Sequence, residues 1–157
     1  MLFDERMMKL ALEEARRASE MGEIPVGAVI TNGQGEVVAV CHNLCEAHQQ
    51  PTAHAELLAV EEACRRLGSW RLSDCTLYAT LEPCPMCMGA LLHARISRVV
   101  FGARDPRAGA CGSLLDLASY PLECRPEITE GLMAEESLTM LRDFFASKRK
   151  KKDQTQE

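Results

Sequence analysis

The sequence predicts an α/β fold, and three observations carry that prediction. Helical and strand periodicities alternate along the chain, its 157 residues suit one domain, and neither an internal repeat nor a linker interrupts it. From Asp4, the apolar positions Met7, Met8, Ala11, Ala15 and Ala18 recur at three- and four-residue steps, with Gly22 just beyond, so the chain opens with an amphipathic helix. Residues 24–30 and 37–41 are β-rich runs joined by a segment containing Asn32-Gly33, a step that supplies the positive φ of a tight turn, and they read as a hairpin. Residues 51–67 form a second helix, with Thr52 as its expected cap and Gly68 as its stop.

A third strand is expected at 75–81, a helix after the prolines over 83–94, and a fourth strand at 98–101. A Gly-rich connection leads to a helical turn near 114–118 and a fifth strand at 125–129. The last helix, 134–147, presents Leu138, Leu141, Phe144 and Phe145. Phe144 and Phe145 read first as core packing.

Composition narrows the class. At this size roughly 65–70% of the unfolded surface is buried, so a core forms without disulfide staples. The eight cysteines are irregularly spaced and mostly beside apolar neighbours, and the N-terminal MLFDERMMKL is too charged for a signal peptide. These features predict a reducing, cytoplasmic setting. With no apolar run near the roughly 20 residues that span a bilayer, no membrane partner is expected. Residues 1–147 carry 13 basic and 21 acidic groups, whereas 148–152 are all Lys or Arg. The acidic body argues mildly against nucleic acid. Residues 148–157 are therefore either a flexible, solvated end or an arm that meets phosphates.

The chemistry lies in His54-Ala55-Glu56 and, 30 residues after His54, Pro83-Cys84-Pro85-Met86-Cys87. One imidazole and two thiolates suit zinc, and cysteines three apart in a helix's first turn can converge on one ion. Both segments are expected at helix N-termini, where the positive end of the dipole favours thiolate. Three protein ligands leave a fourth position for water, as catalytic zinc sites do. A structural site completed by Cys41, Cys45, Cys64 or Cys75 is the alternative, although these fit better as small core residues. Glu56 stands close enough to the helix mouth to exchange protons with that water as general base and acid.

The ordered pair His-x-Glu and Pro-Cys-x-x-Cys is the signature of the zinc nucleobase deaminases. Residues 51–56, 80–87, 99–105 (Val-Val-Phe-Gly-Ala-Arg-Asp) and 128–131 (Ile-Thr-Glu-Gly) more narrowly resemble the bacterial tRNA-specific adenosine deaminases, over about residues 3–148. The resemblance implies a three-layer α/β/α sandwich around a mixed five-stranded sheet of cytidine deaminase type, with residues 1–147 as the deaminase domain. It also implies a homodimer with one Zn²⁺ per subunit that converts adenosine to inosine at the wobble position of the anticodon of tRNA-Arg. Carried over, His54, Cys84 and Cys87 are the metal ligands and Glu56 the catalytic proton shuttle. Asn43 would hydrogen-bond the flipped base, Asp105 would lie near the neighbouring sugar, and Phe144–Phe145 match an aromatic pair. The chain departs from the family over residues 44–50 and is about one residue short between Leu117 and Arg125. Two other activities fit the same motifs: deamination of a free nucleobase or nucleoside such as cytosine or guanine, and a non-catalytic zinc-stabilised RNA-binding subunit. Because the body is acidic, RNA is expected on a local basic patch drawn from Arg71, Arg95, Arg104, Arg107 and the tail.

Overall fold

The computed structural model describes residues 2–120, 122 and 124–156, and shows a mixed five-stranded sheet between helices. In chain order the elements are α1 (Leu2–Glu20), β1 (Gly27–Thr31), β2 (Val37–His42), a short α2 (Cys45–His48), α3 (Ala55–Leu67), β3 (Thr76–Leu81), α4 (Pro85–His93), β4 (Arg98–Ala103), β5 (Glu127–Thr129) and α5 (Ala134–Gln154). A 3₁₀ turn at Leu117–Ser119 lies within the long connection after β4. That connection includes the segment expected to be short, of which Pro121 and Glu123 lie outside the described residues.

The sheet order is β2-β1-β3-β4-β5. β1 is antiparallel to both β2 and β3, while β4 is parallel to β3 and β5 to β4. β2, β3 and β4 therefore point the same way. The residues that follow them, Asn43, Glu82–Cys84 and Arg104–Asp105, all emerge at one edge of the sheet, where open α/β sheets bind ligands.

Alternation along the strands feeds two cores. Ala28, Ile30, Leu77, Ala79, Val99 and Phe101 pack on the side of α3 and α4, whereas Val29, Tyr78 and Val100 pack with Met7, Met8, Ala11 and Leu12 of α1. Leu132, Met133 and Met140 close this second core at the start of α5. Gly27 lets α1 approach β1 so closely that a Cβ there would overlap the Ala11 carbonyl oxygen.

Three expectations from periodicity are corrected. α3 begins at Ala55 and not near Pro51, because Pro51 and Thr52 lie in a turn, and the N-cap position belongs to His54. Residues 45–48, where no helix or strand is expected, form α2, whose Glu46 and Ala47 N–H groups donate to the buried Glu23 carboxylate at 3.1 and 2.7 Å. α5 runs seven residues past Ser147, through the basic run to Gln154. Lys and Arg are good helix formers, and cations in a last turn complement the helix dipole.

A polar clamp ties α1 to the sheet. Arg98 donates from both terminal nitrogens to the two oxygens of Asp4, at 3.0 and 2.8 Å, and also to the Thr129 hydroxyl at 3.1 Å. The Tyr78 hydroxyl donates to Asp4 at 2.7 Å. The Arg98 hydrogen bond is the leading cause of a lowered Asp4 pKa. Since the folded value lies below the unfolded one, this stabilisation is present above the ordinary carboxylate range and is lost as pH falls through the lowered value. Asp4→Asn is expected to cost about 1–3 kcal/mol at pH 7. Urea titrations should find the gap between variant and parent narrowing in acid; a gap independent of pH would contradict the assignment.

Candidate active site

Two helix starts meet at the ligand-binding edge of the sheet. His54 occupies the N-cap position of α3 in extended conformation, and its side chain makes no capping bond. Part of the capping comes from Asn43 instead, whose Oδ1 accepts the Ala55 N–H at 3.2 Å. Asn43 is buried, and with its oxygen committed to backbone its NH₂ end is the one left for a ligand. Cys84 occupies the N-cap position of α4, Pro85 starts that helix, and Cys87 completes its first turn.

The sulfurs of Cys84 and Cys87 each lie 3.5 Å from His54 Nδ1. All three ligand atoms fall within 4.8 Å of one another, and no other group of three metal-binding side chains does so among the described residues. Zinc bonds of about 2.3 Å to sulfur and 2.05 Å to nitrogen, at a tetrahedral angle, place S and N about 3.6 Å apart. The donor set and spacing thus fit zinc. Cys41, Cys45, Cys64 and Cys75 stand outside this group, so none supplies the fourth ligand of a closed structural site. Cys75 is buried, the other three are half-buried, and all four are free thiols.

The electrostatics favour one thiolate before any cation arrives. The Cys84 thiol is pulled down to about 4, first by the hydrogen bond from Cys87 and then, against burial, by His54. Cys87 is pushed up because it donates that hydrogen bond and is buried. His54 is raised by its contact with Cys84. Glu56, in the first turn of α3 and two residues after His54, is 4% exposed. Its own pKa is raised by burial. A carboxyl that holds its proton more tightly than a surface glutamate, beside a metal-ligand group, suits proton transfer near neutral pH.

Above this group opens a cleft of about 540 Å³. His54, Glu56, Cys84 and Asn43 line it, as do Ile24 and Val26 ahead of β1, the 104–108 segment after β4, and Leu138, Leu141 and Phe145 of α5. Four exposed arginines, Arg104, Arg107, Arg142 and Arg149, also line it, and Arg104 is paired with Glu130 at 2.6 Å. Asp105 is at the cleft, with Oδ1 accepting the N–H groups of Arg107 and Ala108 at 3.0 and 3.3 Å.

The expected basic patch is therefore redrawn. Arg104, Arg107 and Arg149 of the tail reach the cleft; Arg71 and Arg95 do not. Arg71 stacks on Trp70, 4.8 Å from the ring centre, and Arg95 lines a separate pocket with Trp70 and Cys124. Arg142 was missed, although Leu138, Leu141, Arg142, Phe145 and Arg149 form a stripe at helical spacing. The two phenylalanines divide: Phe144 is buried with the Lys148 ammonium over its ring, whereas Phe145 is 40% exposed and faces the cleft, against its reading as core. Glu82 was also missed; its acidic side chain immediately before Pro83-Cys84 was the available signal.

Comparison with known proteins agrees with this geometry. Residues 1–103 match the family model for the cytidine and deoxycytidylate deaminase zinc-binding region. The chain is 49% identical over 150 residues to the tRNA-specific adenosine deaminase of Bacillus subtilis (strain 168), covering 95% of this chain and 92% of that one. It is similar, with a TM-score of 0.82 and 41% identity over 87% of this chain and 99% of the other, to a structure from studies of A-to-I editing by tRNA:A34 deaminases at the wobble position of transfer RNA. It is also similar to the guanine deaminase of Bacillus subtilis, with a TM-score of 0.63 and 38% identity over 74% of this chain and 73% of that one. The sequence match across nearly the whole chain, laid over an imidazole, two sulfurs and a buried carboxyl at one helix-bounded edge, places the chain in the cytidine and deoxycytidylate deaminase family and in its tRNA-specific adenosine deaminase branch.

Proposed function

We propose that this chain hydrolyses adenosine to inosine, releasing ammonia, at the wobble position of the anticodon of tRNA-Arg. In this reading it works in the cytoplasm as a homodimer, with one zinc ion per subunit on His54, Cys84 and Cys87. The observation that carries the reading is a buried glutamic acid against the His-Cys-Cys group, at the floor of a cleft lined by four arginines.

Zinc, when bound, acts as a Lewis acid that lowers the pKa of water to about 7. The remaining work falls to side chains. Glu56 takes a proton from the attacking water, delivers it to the purine ring and then carries the second to the departing amine. Asn43 offers its NH₂ to the base, fixed in direction by the Ala55 N–H on its oxygen. Asp105, which lines the cleft, takes in this reading the place beside a neighbouring nucleotide's sugar that the family resemblance implies. A base must leave its stack to enter, and a single-stranded anticodon loop makes that least costly. Arg107, Arg142 and Arg149 suit a substrate that brings phosphates with it. Lys148–Lys152, carried onward by α5, serves in this reading as an arm to the RNA backbone.

The likeness to a guanine deaminase favours one second reading, a free purine as substrate. The two separate in one assay. Incubated with a tRNA-Arg anticodon stem-loop, free adenosine, free guanine and free cytosine, the protein is expected to make inosine from the stem-loop alone. Deamination of a free base with an untouched stem-loop would select the second reading.

Glu56→Gln should keep its zinc, measured by metal analysis, and lose inosine formation by a factor of about 100 or more. Substantial residual turnover would remove Glu56 from the proton path. Replacing Lys148–Lys152 with Gln preserves helix propensity and should weaken stem-loop binding, with a shallower slope of log affinity against log salt. Identical titrations for variant and parent would leave the run as a solvated helix end.

A further inference from the structure

Glu82 follows β3 and is 2% exposed, yet nothing in the chemistry above uses it. Both of its oxygens are engaged by the connection after β4. Oε1 accepts the Asp105 N–H at 3.1 Å and the Ser113 hydroxyl; Oε2 accepts the N–H groups of Cys111 and Ser113 at 2.9 and 3.2 Å. Gly109 lies so close to this carboxylate that a Cβ there would overlap it. Three backbone donors and a hydroxyl, spread over nine residues of an otherwise irregular segment, meet on a single side chain. Apart from the bridge between Cys111 and Asp116 and the Ala110 N–H donated to the Pro83 carbonyl at 2.8 Å, no strand pairing or backbone bond to β3 or its following residues holds the 105–116 stretch.

The position of this tether gives it a selective effect. His54 and Glu56 are set by the start of α3 and Cys84 and Cys87 by the start of α4, and none of the four is a hydrogen-bond partner of the Glu82 carboxylate. Asp105, at the rim, is one of its partners. We propose that Glu82 is a positioning residue for polynucleotide capture: its carboxylate anchors the 105–113 loop to the strand leading into Cys84, holding Asp105 and Arg107 at the cleft in register with the base pocket. This inference rests on the RNA reading given above.

The test is Glu82→Gln in the zinc-loaded protein. Glutamine has the same shape, but whichever way its amide turns, the NH₂ faces backbone donors. Amide hydrogen exchange over 105–113 should quicken while α3 and α4 stay protected and zinc content stays at the parent level. KM for the stem-loop should rise roughly tenfold or more, because buried donors left unpaired let the rim relax. A kcat that falls by less than about threefold completes the expected pattern. Unchanged exchange over 105–113, loss of zinc, or a fall in kcat with KM unmoved would overturn the proposal. Should Glu82→Gln fail to fold, Gly109→Ala pushes the same loop off an intact carboxylate and is held to the same pattern and the same refutations. Parent protein that is inactive on the stem-loop would instead overturn the RNA reading and the capture role with it. Unaltered exchange in the variant of an active parent would sink the Glu82 assignment alone.

Discussion

Two cysteine sulfurs touching one imidazole, across the gap between two helix N-termini, form the constraint on which the remaining structure depends. Thiolates and a carboxylate gathered together would repel one another in a neutral interior, and burial alone would keep all of them protonated. Cys87 and then His54 bias Cys84 toward the thiolate, and the positive ends of α3 and α4 offset part of the remaining cost. For the helices to meet there, the strands that feed them must end at the same edge. That requirement accounts for the mixed sheet: β1 runs against its two neighbours so that β2, β3 and β4 all deliver their following residues to one side.

Buried carboxylates brace the segments around that edge. Glu23, 1% exposed, accepts the N–H groups of Glu46 and Ala47 and seats α2, next to the turn that leads into His54. Glu82 does the same for the loop after β4. Irregular backbone beside a cleft has few ladder bonds to rely on, and an acceptor reaching it from regular structure satisfies several donors at once.

Charge is arranged with similar economy of place. The body outside the tail carries an excess of eight acidic groups, yet the cleft is lined by Arg104, Arg107, Arg142 and Arg149. A polyanion would be repelled by most of the surface and accepted at one point, so the acidic total favours specific over indiscriminate binding. α5 does much of this work, turning Phe145 and two arginines toward the cleft and Phe144 toward the interior.

The gathering of His54, Cys84 and Cys87 was legible from residue types and spacing, since a zinc ligand set requires particular donor atoms and helix starts can bring them together. The α/β order was legible too, because burial on one helix face or alternate strand positions writes its period directly into the chain. Glu82, Glu23 and Arg142 were not legible as site residues, nor was the split between Phe144 and Phe145. Each owes its role to partners 23 or more residues away, or to the rotation of α5 about its axis against the sheet, and a one-dimensional pattern carries neither. By itself the sequence determined which atoms gather at the centre and the class of fold that gathers them. Only the tertiary structure decided what surrounds that centre, because a loop's course and a helix's facing follow from contacts between distant segments and not from the local periods that mark helices and strands.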